Sequence, residues 1–454
     1  MAIVNSAHKA NHLSEVDQAV RFTEPIGPDH EFYVEFRDVR GDFEERIVYK
    51  RLNVSQLGGS FQFDPATSSS QKVLFFLGGM RGSGKTSELA KYSQNLHRPE
   101  CFFCVTCNID DELDMNDIEY TDILIFQLEK LIRQLNDQKL DISETVLKEM
   151  QRWFSEREKE IGTTIKADTG MEFGYGVTKG NVLQSLFGIV AYVRAGLSGS
   201  KQWVNTIRTS FKNRFPDFAT RFNDFIEEAN IALRKKGIGK EVLFIVDGLE
   251  KTMTADLRKK IIIDESNRLR SIKAYTIFTL PIELMRERQH LLQFGAVETF
   301  PFVKLSDRDG NLLEPAIEAF RNFVFQRIER TLFENEDLVD EIIILSGGSP
   351  RELLRILQQT YFNVAPNNTQ LDRVAFEKAR KRLASQAAQY VEKEEWAKLK
   401  ELKLLNDQHL EVQFDDVLED LLEKILVMEY NDGSDKRPNP ILTHSNLYKQ
   451  VVLH

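Results

Sequence analysis

Cysteine is scarce: three in 454 residues, all within the run Cys101-Phe-Phe-Cys104-Val-Thr-Cys107. That scarcity excludes a disulfide framework. Read as a strand, the run turns Cys101 and Cys107 to one face and Cys104 to the other, so the three do not converge on a metal ion. The expectation is three buried, reduced thiols in a cytoplasmic protein. An apolar run of the roughly 20 residues that a membrane span needs is also missing. The nearest stretch, Val182 to Leu197, is shorter and carries Gln184 and Arg194. It reads as a buried or oligomer-facing helix. The first 20 residues are polar and mixed in charge and do not resemble a secretory leader. A basic surplus is absent too, with Lys+Arg 60 against Asp+Glu 70 and a net charge of −10. This argues against a dominant, non-specific nucleic-acid surface and leaves room for a small local one. There is no internal repeat and no low-complexity tract.

What the chain does contain is an ordinary globular balance, 42% hydrophobic and 29% charged, at a length that suggests two to four domains. Its most informative stretch is Val73 to Thr86, VLFFLGGMRGSGKT. This matches Gly-x-x-x-x-Gly-Lys-Thr, with Gly79, Gly84, Lys85 and Thr86 in the fixed positions. Glycines let the backbone curl so that N–H groups converge on phosphate oxygens, with no Cβ in the way. Met80, Arg81, Gly82, Ser83 and Ser87 complete the cradle. Lys85 reaches the outer phosphates, the Thr86 hydroxyl holds Mg²⁺, and the following helix adds its positive end. The apolar VLFFL before it reads as a buried parallel strand. A nucleoside triphosphate with Mg²⁺ is the expected ligand. The absence of a guanine-reading Asn-Lys-x-Asp pattern favours ATP.

Along the chain, residues 1–60 read as a lead-in in which FYVEF and RIVYKRL form a β-hairpin across RDVRGDFEE. Ser60 to Gln71 is turn-rich and marks a boundary. The core, 61–300, alternates strands and helices: VLFFL, CFFCVTCNI, EVLFIVD, AYTIFTL and VETF as strands of a parallel sheet with helices on both faces. A helical and glycine-containing insert occupies about 140–235, with 163–180 as its mobile loop. A helical lid follows over 301–390. Helices and a hairpin around Asn431-Asp432-Gly433 give a winged-helix-like module over 391–454.

Further site elements follow from position. Asp247 ends the buried strand VLFIVD, where a carboxylate binds the Mg²⁺ shell. Glu250, three residues on, is either the general base for water or an exposed loop glutamate. Thr279 tips the next strand, as an orienting hydroxyl or a plain strand end. Arg351 follows Gly347-Gly348-Ser349-Pro350 at a helix start, as a charge clamp over the nucleotide or a solvated arginine.

Together GGMRGSGKT, DGLE at a strand end, the polar-tipped strand before Pro281 and GGSPREL resemble the AAA+ and STAND class of P-loop ATPases, above all initiator-type members. Such a resemblance spans about 61–390 and implies an ATPase with sensor-like roles for Thr279 and Arg351. It also implies a homo-oligomer or a separate effector, in the manner of regulatory or anti-phage defence ATPases, with Arg286 or Arg288 reaching a neighbour's site. DNA contact through the C-terminal module, at Lys436 and Arg437, is the alternative, and a nucleotide-binding scaffold without turnover is a third. Two features depart from the AAA+ pattern: Gly248, not an acid, follows Asp247, and the insert is long.

Overall fold

The computed structural model describes residues 8–22, 25–41, 43–64, 72–169, 182–251, 254–431 and 433–453, without the side chains of 57 and 163–169. Most of the glycine-containing stretch 163–180 thus lies outside the described residues.

Five parallel strands form the centre: β3 (Leu74–Gly78), β4 (Phe102–Asn108), β5 (Glu241–Asp247), β6 (Tyr275–Leu280) and β7 (Ala296–Thr299). Their spatial order is β4-β5-β6-β3-β7. Strands β3, β5 and β6 are buried along their whole length, which is why they read as unbroken apolar runs rather than alternations. Phe75 and Leu77 face one layer and Leu74 and Phe76 the other. Because β6 separates β3 from β5, the tips of these three strands lie side by side at one end of the sheet.

Helix α1 (Lys85–Leu96) follows β3 and packs on one face. The other face is covered by α2 (Tyr120–Asp137) and the insert helices α3 (Glu144–Thr169), α4 (Val182–Gly196), α5 (Lys201–Asn213) and α6 (Phe215–Lys236). Trp153 and Phe154 of α3 pack edge-on or tilted against Phe211 and Phe218 of the neighbouring helices. The helix at Val182 to Gly196 is a packed member of this layer, and no described helix is long and apolar enough to cross a membrane.

The lead-in differs from expectation. RIVYKR is helical, Glu45–Arg51, and the buried Val48, Tyr49 and Leu52 stand at helical spacing despite the β-branching. The hairpin instead lies later, β1 (Val54–Leu57) against β2 (Ser60–Phe63). Its turn is Gly58-Gly59, with φ of 56° and 83°, a pair of left-handed positions that glycine fills without strain. Ser60 to Phe63 is therefore strand rather than boundary. The FYVEF segment carries no strand, and Phe32 and Phe36 are buried in a core shared with residues 303–383.

That core contains α7 (Glu314–Phe325), α8 (Glu336–Leu345), α9 (Pro350–Phe362) and α10 (Arg373–Gln389). A further cluster joins α11 (Lys393–Asp407), α12 (Asp416–Glu423), the antiparallel pair β8 (Val427–Tyr430) and β9 (Asp435–Pro438), and α13 (Asn446–Val452). The cysteines are buried and free. Cys101, however, precedes β4 and shares the Cys104 layer, while Cys107 faces the other side. The alternation assumed from the strand reading fails at Cys101 because the strand starts one residue later.

Candidate functional site

The loop between β3 and α1 closes tightly on its surroundings. A Cβ on Gly79 would meet the Phe300 carbonyl at 2.4 Å, and its φ of 150° suits glycine. Lys85 opens α1, is 4% exposed, and donates to the Gly79 and Met80 carbonyls at 2.8 and 3.0 Å. Burial pulls its ammonium below the usual lysine range, while Glu250 and then Asp247 oppose that pull.

Asp247 ends β5 with 4% exposure. Burial, then the charge of Glu250, pushes its carboxyl up to about 6, with the Thr86 and Thr279 hydroxyls pulling back. Its Oδ1 is buried without a hydrogen-bond partner, and so is Ser83 Oγ in the loop. A buried carboxylate oxygen lacking a partner next to a threonine hydroxyl is the oxygen donor set that a hard divalent cation takes. Asp247 and Thr86 therefore fit Mg²⁺.

Glu250 is 6% exposed, which rules out the exposed-loop reading. Burial pushes its carboxyl up, but Lys85, the Thr279 hydroxyl and Lys251 outweigh it and hold Glu250 below the usual range. Thr279 is fully buried, donates to Glu250 Oε2 at 3.0 Å and accepts from the Gly248 N–H at 3.2 Å. The β6 tip thus ties the glutamate to the loop after Asp247. Arg81 donates to the Glu250 carbonyl, joining that loop to the phosphate-loop sequence.

The helical region after β7 approaches from the other side. Ser349 caps α9 and its hydroxyl lies 3.4 Å from the Gly82 carbonyl. Arg351 follows, exposed, lining the same cleft as Gly82, Gly84, Lys85, Thr86, Ser87 and Glu250. This cleft has a volume of about 490 Å³. Met80 behaves differently from its loop neighbours. Its side chain is buried in the C-terminal cluster, and its sulfur accepts from the Glu429 N–H at 3.2 Å. Only its backbone remains for a phosphate.

Two arginines escaped the sequence reading. Arg40, 5% exposed, donates to the Pro301 carbonyl at 2.7 Å and stacks 4.0 Å from the Phe300 ring centroid, behind the loop. Burial lowers its guanidinium to about 10. Arg327 lines the cleft. Neither lies in a motif; only an arginine amid aromatic residues, as in FVFQR, could have hinted at one.

The other sequence candidates are engaged within the chain. Arg286 pairs with Asp416 and Glu419 of α12, both at 2.6 Å. Arg288 reaches Thr299 Oγ1 and the Val297 carbonyl, at 3.4 and 3.2 Å. On the C-terminal hairpin, Lys436 pairs with Glu429 at 3.1 Å and Arg437 with Asp435 at 2.7 Å.

No protein-family model and no curated protein matches the chain. Among solved structures it is similar to a Walker-type ATPase of Pyrococcus abyssi. The two are 12% identical, with 94% of this chain and 99% of that one covered, at a TM-score of 0.41.

Proposed function

We propose that this protein is an ATP-binding, ATP-hydrolysing switch of the P-loop class, whose nucleotide state is read by its C-terminal module. The observation that carries the reading is convergence at one end of the sheet: the loop with Lys85 and Thr86, the buried Asp247 and Glu250, and Thr279 between them. Arg81, Gly82, Gly84 to Ser87, Glu250 and Arg351 line one cleft, with Thr279 bonded to Glu250 and Ser349 beside Gly82.

The roles follow from these environments. Loop N–H groups and Lys85 take the phosphate oxygens. Asp247 and the Thr86 hydroxyl hold Mg²⁺, which when bound neutralises phosphate charge and favours an incoming oxygen nucleophile. Glu250, kept ionised by Lys85 and oriented by Thr279, accepts a hydrogen bond from the attacking water and then its proton. Arg351 supplies positive charge over the outer phosphates from the lid. Hydrolysis removes those contacts, and α9 is then free to shift.

Transmission has a physical route. Met80 sits inside the C-terminal core, and the Tyr430 hydroxyl donates to the Gly347 carbonyl at 2.7 Å, just before α9. A loop movement of even an ångström displaces a packed side chain in that module. The expected output is a change in contact with a separate effector or with further copies of the chain, as for regulatory or defence ATPases of the AAA+ and STAND class. DNA contact through the hairpin has less support, since Lys436 and Arg437 are already paired with carboxylates. Phosphate release by wild type and Glu250→Gln, with and without duplex DNA, tests the reading. Slow hydrolysis abolished by the substitution and indifferent to DNA is expected. Equal rates in both proteins would overturn the role of Glu250.

A further inference from the structure

Arg327 carries a charge that no carboxylate among the described residues balances. It is 2% exposed. Its Nη1 donates to the Phe323 carbonyl at 2.8 Å, and its Nε is buried without a partner. The guanidinium lies 3.6 Å from the Phe323 ring centroid and 5.0 Å from that of Phe32. No carboxylate among the described residues pairs with it, and burial alone lowers it to about 9. A buried cation without a counter-ion is strongly unfavourable. Arg258, equally buried, is by contrast paired with Glu283 and Glu423.

The location says what Arg327 faces. It lines the nucleotide cleft, together with Phe22, Pro25, Ile26, Phe323 and Leu354. The same lining brings in the charged Arg81, Lys85, Glu250, Lys251 and Arg351, while the rings nearest Arg327 are those of Phe323 and Phe32. The cleft therefore has a charged end, at Lys85, and an apolar end with one guanidinium. A guanidinium is donor-only, so its complement presents acceptors in an apolar, planar frame. Purine rings do so through their ring nitrogens, whereas a phosphate belongs with Lys85.

We propose that Arg327 is the nucleoside-reading residue of this cleft, donating to ring acceptors of a purine base held against Phe22, Ile26 and Phe323. The inference rests on the nucleotide reading above and adds to it the site of base recognition.

Equilibrium binding of ATP and of inorganic tripolyphosphate to wild type, Arg327→Met and Arg327→Gln tests it, with melting temperatures of the ligand-free proteins. Methionine keeps most of the side-chain volume without the charge. ATP affinity is expected to fall about 10- to 100-fold, the loss for charged hydrogen bonds of this kind. Tripolyphosphate affinity stays within about twofold, since its contacts lie with Lys85. The ligand-free melting temperature does not fall, because an unpaired buried charge has been removed. Unchanged ATP affinity in both variants overturns the assignment. So does a parallel loss of tripolyphosphate, or a melting temperature that falls while ATP binding persists, which marks a structural arginine. Wild type that binds neither probe overturns the nucleotide reading itself, a result distinct from the others.

Discussion

The two ends of the cleft are built by opposite means. At the phosphate end the charges face one another: Lys85 against Glu250 and Asp247, with Thr279 bridging at 3.0 Å. Four of its elements leave adjacent strand tips or the loop that follows one. At the other end the Arg327 guanidinium sits among the apolar Phe22, Pro25, Ile26, Phe323 and Leu354. The first arrangement is stable before any ligand arrives, and the second is completed only by one. On the reading proposed above, the site divides its labour: the paired end sets the chemistry, and the unpaired end sets which molecule is admitted.

The comparison can be broken at the paired end with the largest effect. Lys85→Ala leaves the loop carbonyls of Gly79 and Met80 without their donor and the phosphates without a cation. Loss of ATP affinity by about 100-fold or more is expected, read by calorimetry or a fluorescent nucleotide. Next, Glu250→Gln keeps the Thr279 contact and removes the proton acceptor. Phosphate release falls by about 100-fold with ATP binding retained, measured under single-turnover conditions.

Smaller effects sharpen the link from the cleft to the C-terminal module. Met80→Ala hollows the C-terminal core, at a cost of about 2–3 kcal/mol, and uncouples it. In wild type, ATP is expected to change amide-exchange protection across Val427–Pro438; in the variant that change disappears. The smallest effect concerns Asp435 of β9, which pairs with Lys304 and with Arg437 of the same strand at 2.8 and 2.7 Å. Burial pushes its carboxyl up, but Arg437 and Lys304 outweigh this and hold it below its ordinary 3.8. A carboxyl lowered on folding contributes stability above its unfolded pKa, and that contribution is lost as pH falls through the folded value. Wild type therefore loses hairpin stability below about pH 4, whereas Asp435→Asn starts lower and shows a flatter acid limb in thermal melts across pH 3–7.

Legibility in the sequence followed the same division. Gly79 to Thr86 is contiguous because a backbone cradle is a local device, and its residue types are forced by geometry at each step. Asp247 and Thr279 were readable because a buried parallel strand is an apolar run, and its C-terminal tip is where polar function begins. Arg327 and Arg40 were not readable, since nothing local distinguishes a buried arginine from a solvated one; their burial depends on chain segments hundreds of residues apart. The lead-in failed for a different reason. RIVYKRL has strand composition, but Val48, Tyr49 and Leu52 also fit helix spacing, and their packing beside Phe61 selects the helix. The Gly58-Gly59 turn signal lies a few residues beyond RIVYKRL. Arg286 looked like a residue free to reach a neighbour because its partners, Asp416 and Glu419, lie 130 residues later on a helix whose docking no local pattern reveals.

The most direct test of a metal-assisted phosphate end is ATP binding to wild type and Asp247→Asn, each with Mg²⁺ and with a chelator. Asp247 Oδ1 is buried without a partner, so wild type is expected to bind ATP about tenfold or more tighter with Mg²⁺, while the variant responds little to the metal. Equal Mg²⁺ dependence in both proteins, or no ATP binding by wild type under either condition, would contradict it.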